Sequence, residues 1–155
     1  MSVLAEVARE ADRAVSDARN RLVHAIREAS AQGMTQQQIA RETGRSQPEI
    51  SRLLRFHGTS PLGRRLRAHR SDVIAMVEAA GGGDVRVFGS VAEGTDGGGS
   101  DVDLLFTMDD ALSLMGLARL EVELEELIGA DVDLVPESSL RPGIRDRVLR
   151  QAVLL

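Results

Sequence analysis

Two aspartates one residue apart, Asp101 and Asp103, open an apolar run, and a glycine-rich loop precedes them in VFGSVAEGTDGGGSDVDLLF, residues 87–106. On an extended chain, residues two apart point to the same side, so the two carboxylates face one space. Like charges gathered there and partly desolvated are costly unless something neutralises them. A hard divalent cation does so, and Mg2+ takes a few carboxylates together with water and phosphate oxygens. Two such ions clamp an in-line displacement at phosphorus. Gly89-Ser90 ends the preceding apolar run. Glycine lets backbone approach a ligand, and Ser90 opens a short helical turn whose free N–H groups suit a phosphate. The chemistry asks for one more carboxylate to activate an attacking hydroxyl. The run ADVDLV, 130–135, offers Asp131 and Asp133, echoing the first pair.

Strands must hold these side chains together. Val85, Val87 and Phe88 predict one short strand, Val102 to Phe106 a second, and 130–135 a third. A helix opens at Ser60-Pro61, carries Leu62, Leu66, Val73, Ile74 and Val77, and closes at Gly81-Gly82-Gly83. Asp109 or Asp110 caps another through Ile128, which Gly129 ends. Pro142 starts a last helix, with Ile144, Val148, Ala152 and Leu155 on one stripe. Before all of this, residues 2–31 read as one long helix, with Leu4, Val7, Ala11, Val15, Leu22 and Ile26 at spacings of three and four. The expected fold class is α/β (α+β): a small mixed sheet with helices covering one face, preceded by an all-α domain. The expected domains are 1–57 and 62–155, with HGTSP, 57–61, as a short linker.

Composition narrows the function classes. The 155 residues include no Trp or Tyr and three Phe, so the core is aliphatic. There is no Cys, which excludes disulfides and thiolate metal sites. His24, His57 and His69 share no ligand-like spacing. No apolar run reaches the roughly 18 residues of a membrane span, and the charged N-terminus is no secretory signal. A cytoplasmic protein is expected, with no membrane partner. All 19 basic residues are Arg, and the net charge of −5 is divided unevenly. Residues 1–70 carry 13 Arg against 7 acids, net +6; residues 71–155 carry 6 Arg against 17 acids, net −11. Two modules with different partners are implied.

Gly89-Ser90, a spacer of ten residues, and Asp101-x-Asp103 between two strands together resemble the nucleotidyltransferase superfamily of the DNA polymerase β type. The match is closest to the minimal nucleotidyltransferase (MNT) family. VRVFGSVAEG and SDVDLLF are similar to its first and second strands, DVDLV to its third and RDRVLRQAVLL to its closing helix, so that the resemblance covers roughly 62–155. It implies that Gly89 and Ser90 hold a nucleoside triphosphate and that Asp101 and Asp103 bind two Mg2+ ions. It implies Asp133 as the third carboxylate, because the family's aspartate directly precedes Leu, with Asp131 as the fallback. The reaction implied moves a nucleoside monophosphate, AMP from ATP, to an acceptor hydroxyl. Glu93 stands where the family commonly has a basic residue, and its charge repels a triphosphate. The resemblance further implies a HEPN-type ribonuclease toxin as partner, adenylylated on a tyrosine by this chain as its antitoxin. One alternative is a transcription regulator whose inactive nucleotidyltransferase domain senses nucleotide. Another is an enzyme with a small-molecule acceptor such as an aminoglycoside, for which residues 136–155 offer no extra substrate domain.

MTQQQIARETGRSQPEISRLLR, 34–55, resembles a helix-turn-helix of the Cro/repressor type. Thr35 and Ser46 read as N-caps, Gly44 as the turn and Pro48 as a first-turn proline. The resemblance puts the recognition helix at Ser46-Gln47 onward, with Gln47, Glu49 and Arg52 at base edges. Arg45, Arg55 and Arg64 meet phosphates, as do Gln36 and Gln37. It implies an autorepressor bound to operator DNA as a two-fold dimer, or a hetero-oligomer with the toxin, and residues 2–31 are either a dimer contact or a simple domain helix.

Overall fold

A computed structural model describes residues 2–155, which group into two compact units, one ending at Leu54 and one running Arg55–Leu155. Each has its own apolar cluster. No helix of the described residues is long and apolar enough to cross a membrane.

In the first unit, α1 (Val3–Ala31) starts where the Ser2 hydroxyl accepts from the Ala5 N–H. Only its last turns enter the core: Leu22, Ile26 and Ala29 pack with Ile39, Ala40 and Ile50. α2 (Gln36–Thr43) opens on a reciprocal cap. Thr35 Oγ1 accepts from the Gln38 N–H at 3.2 Å, and Gln38 Oε1 accepts from the Thr35 N–H at 2.9 Å. Gly44, at φ 64°, makes the left-handed turn that lets α3 (Gln47–Leu53) follow, capped by Ser46 with Pro48 in its first turn.

The second unit opens with α4 (Pro61–Ala68) and α5 (Arg70–Ala79). These were expected as one helix; His69, at φ −103° and ψ 12°, breaks it. β1 (Gly82–Phe88) starts earlier than expected, because Gly82 and Gly83 pair with Met108 and Thr107 instead of ending a helix. A Cβ on Gly82 would lie 2.8 Å from Val77 Cγ1 and 2.9 Å from Phe106 Cδ2, so only a glycine lets the strand lie this close to α5. Then come α6 (Gly89–Glu93), β2 (Val102–Met108) and α7 (Leu114–Ile128). The cap of α7 is Ser113, whose hydroxyl accepts from the Gly116 N–H at 3.0 Å, and neither Asp109 nor Asp110. β3 (Val132–Pro136), a 3-10 turn at Glu137–Ser139, α8 (Pro142–Gln151) and β4 (Val153–Leu154) complete the chain. The break at His69 lets α4 pack on α6 while α5 packs on β1.

The sheet order is β3-β2-β1-β4. β1 is antiparallel to β2 and β4, and β2 is parallel to β3, with α7 as the crossover. This is the mixed sheet with flanking helices that the sequence implied. β4 is a departure: the helix expected to reach Leu155 stops at Gln151, and Leu155 N–H donates to Val85 O at 3.0 Å. The presumed linker is a second departure. Phe56 is buried in the same core, and its N–H donates to Leu154 O at 2.8 Å. A Cβ on Gly58 would lie 2.2 Å from Gly63 O, so residues 57–61 are packed against α4 and do not hang free.

One face of the sheet is filled by Val73, Val77, Leu104, Phe106 and Leu124 beneath α5 and α7. The outer edge of β3 is closed by side chains. Glu125 Oε1 accepts from the Val132 N–H at 3.2 Å, and Glu121 Oε1 from the Leu134 N–H at 3.1 Å. Such caps remove the free donors through which an edge strand recruits another chain. We expect Glu121→Ala with Glu125→Ala to cost about 1 kcal/mol per lost bond in urea unfolding. The glutamine pair, which keeps both acceptors, should retain most of that stability, and an unchanged unfolding midpoint in the alanine pair would refute the capping role.

Candidate active site

β1 ends at Phe88 and hands the chain directly to Gly89-Ser90 at the start of α6. Phe88 is paired with Asp103 on β2, and Asp103 with Asp133 on β3. Val102, Leu104, Val132 and Leu134 point into the core. By strand alternation, Asp103 and Asp133 therefore share the opposite face. Asp101 immediately precedes β2, two residues from Asp103. The fold thus brings Gly89, Ser90, Asp101, Asp103 and Asp133 to one end of the sheet. Asp131 precedes β3, and its carbonyl accepts from the Val102 N–H at 2.8 Å. The register sets Asp133 beside Asp103.

Asp103 is half-buried, while Asp101 and Asp133 are exposed. Burial is the main force on the Asp103 carboxyl; Asp133 and then Asp101 add their charge, and together they push its pKa up to about 6. Gly89, at φ 69°, lies against this carboxylate: a Cβ there would stand 2.3 Å from Asp103 Oδ2. Any other residue would suffer both backbone strain and collision, so the glycine is the cradle in which Asp103 sits.

The glycine loop is pinned by contacts that no local pattern announced. Asp96 Oδ2 accepts from the Leu62 N–H of α4 at 3.3 Å. Gly97 N–H donates to Ser100 Oγ at 2.9 Å, and Ser100 N–H to Gly97 O at 3.1 Å. Arg86, on the aspartate face by alternation, forms an ion pair with Glu137. Arg145 also binds Glu137, through Nη2 to Oε1 at 2.9 Å and through Nη1 to the carbonyl at 3.1 Å. Glu137 therefore occupies both arginines, and the aspartates keep their mutual repulsion. Glu93 is exposed and accepts from Gln151 Nε2 at 3.4 Å.

The donor set fits a hard cation: carboxylate oxygens, partly desolvated, bearing like charge. Among the described residues, no three His, Asp or Glu side chains are gathered into a closed metal cage. That suits Mg2+, which keeps several waters and phosphate oxygens in its shell.

In the first unit, Gln37, Gln47 and Arg52 are exposed, whereas Gln36, Arg45 and Glu49 are half-buried. Two of the residues assigned to DNA serve the fold: the Ser46 hydroxyl accepts from the Glu49 N–H at 3.3 Å, and Arg45 Nη1 donates to Thr43 O at 3.0 Å. Arg55 and Arg64 belong to the second unit, where Arg64 Nε donates to Thr59 O at 2.9 Å.

The model of the nucleotidyltransferase domain family matches residues 67–155. The chain is 41% identical over 88 residues to the protein adenylyltransferase MntA of Thermococcus cleftensis, covering 57% of this chain and 86% of that one. A solved structure of a candidate minimal nucleotidyltransferase is 41% identical, with a TM-score of 0.56 over 64% of this chain and 100% of its own. A crystallised toxin–antitoxin with AMP-PNP, 24% identical over 54% of this chain and 69% of its own, shares the fold at a TM-score of 0.50.

Asp103 carries a pH signature. Its folded pKa of about 6 lies above the ordinary carboxyl value, so the folded state binds the proton more tightly. Ionisation then weakens the metal-free fold as pH rises from about 4 to 6. In chelator, Asp103→Asn should gain stability over wild type through that window and hold the gain above it, by about 1 kcal/mol after allowance for solvent screening. Melting temperatures of the two proteins between pH 4 and 8 measure this; curves that run parallel throughout would exclude it.

Proposed function

The chain belongs to the nucleotidyltransferase domain family, and we propose that it transfers adenylate from ATP to a hydroxyl of a partner protein. That it is a nucleotidyltransferase follows from the family match and the identity to a protein adenylyltransferase. The finer reading is carried by one observation: Asp103 lies between Gly89 and Asp133, half-buried, with its charge opposed by its neighbours.

In this reading, Gly89 and Ser90 present backbone N–H groups to the triphosphate. Asp101, Asp103 and Asp133 hold Mg2+, which supplies the positive charge that stabilises an in-line displacement at phosphorus. The acceptor oxygen bonds to the α-phosphorus, the bond to the bridging oxygen breaks, and pyrophosphate leaves. Asp133, the most open of the carboxylates on the strands, takes the hydroxyl proton. Glu93 turns toward Gln151 of α8, which limits its repulsion of the phosphates.

A protein acceptor is supported by the relative's activity. The acceptor we favour is a HEPN-type toxin, on the family resemblance, with this chain as its antitoxin. Residues 1–57 serve as the operator-binding, autorepressing part and 62–155 as the catalytic part. Exposed Gln37, Gln47 and Arg52 support the DNA role. Operator half-sites would call for a two-fold dimer.

Labelled ATP, Mg2+ and the HEPN partner should yield label on the partner. Chelation should stop transfer, and Asp103→Asn or Asp133→Asn should cut it on the order of 100-fold or more. Operator binding should survive these variants, while Arg52→Ala should weaken it by about 1–3 kcal/mol. Intact operator binding with no label on any protein would replace this reading with that of a nucleotide-sensing regulator.

A further inference from the structure

The apolar stripe of α1 does not stop where its own core stops. At 3.6 residues per turn, Leu4, Val7, Ala11, Val15 and Ala18 fall on the same face as Leu22 and Ile26, which are packed. Yet Val3, Leu4, Val7 and Val15 are 77%, 78%, 55% and 70% exposed. An isolated helical stretch of this length is marginal in water, and a continuous exposed apolar stripe marks an interaction surface.

The charges on the same stretch say what covers it. Residues 3–12 carry Glu6, Glu10 and Asp12 against Arg9, net −2. Residues 13–21 carry Arg13, Arg19 and Arg21 against Asp17, net +2. A second copy running antiparallel places the acidic half beside the basic half twice; a parallel copy places like against like. A surface that complements itself in this way is what a two-fold contact requires.

We propose that residues 3–21 of α1 pair antiparallel with the same segment of a second copy of this chain. The two-fold axis passes near Ala11. It sets Leu4 of one copy against Ala18 of the other, and Val7 against Val15, so large residues meet small ones and the helices approach closely. The pairing rests on α1 alone. Its failure would leave the transferase reading untouched, and a dimer that ignores DNA would keep the pairing while refuting the operator.

The chain has no Cys, so single cysteine variants report cleanly. Sedimentation of the full chain at micromolar concentration should show a dimer, and Val7→Glu with Val15→Glu should give a monomer that keeps its nucleotidyltransferase activity. Under mild oxidation, Ala11→Cys should cross-link to itself. Leu4→Cys alone should not, but a mixture of Leu4→Cys and Ala18→Cys should. A wild-type monomer, which would mean that the stripe is covered by its own chain or by another protein, overturns the proposal. So does a dimer that survives the glutamates, or Leu4→Cys cross-linking to itself, which marks a parallel pair.

Discussion

The repulsion among Asp101, Asp103 and Asp133 is the constraint around which the second unit is organised. Strand pairing sets Asp103 beside Asp133, and burial removes part of the water that would otherwise screen them. A fold does not gain stability from such an arrangement; it carries the strain because the same oxygens suit a divalent cation and a triphosphate. The arginines of that face could have relieved it. Instead Glu137 engages both Arg86 and Arg145, leaving the aspartates as a cation site.

The remaining elements hold that site open and in register. The parallel pairing of β2 and β3, made possible by the α7 crossover, carries two separated Asp-Val-Asp-Leu runs to the same sheet end. Gly89 gives up a side chain so that the Asp103 carboxylate can lie against its backbone. Asp96 ties the glycine loop to the start of α4, which keeps a loop rich in flexible residues beside the site. Glu121 and Glu125 close the β3 edge, so the strand that bears Asp133 is not recruited elsewhere.

What the sequence made legible was local and periodic. Gly89-Ser90 and Asp101-x-Asp103 announce chemistry because their residue types are costly in a plain core, and the alternation of Val102 and Leu104 shows which way the aspartates face. The caps at Thr35, Gly44 and Ser46 follow from side chains that satisfy neighbouring backbone. Non-local partnerships stayed hidden. Val153–Leu154 continues a helical stripe and becomes a strand only because β1 offers a free edge. Gly82 reads as a helix stop until Val77 and Phe106 are seen on either side of it. The Arg86–Glu137–Arg145 cluster joins residues far apart in the chain, and no spacing encodes it. The stripe on α1 was readable, but one helix period cannot say which turns meet their own core and which remain exposed.

The account stands or falls on the charge state of Asp103. Its side-chain carboxyl can be titrated by carbon NMR in the full chain, first in chelator and then with saturating Mg2+ and a non-hydrolysable ATP analogue. The account predicts a metal-free pKa near 6, falling well below that value once cation and nucleotide are bound. An ordinary carboxyl pKa without metal, or a raised one that the cation and nucleotide leave unmoved, would contradict it.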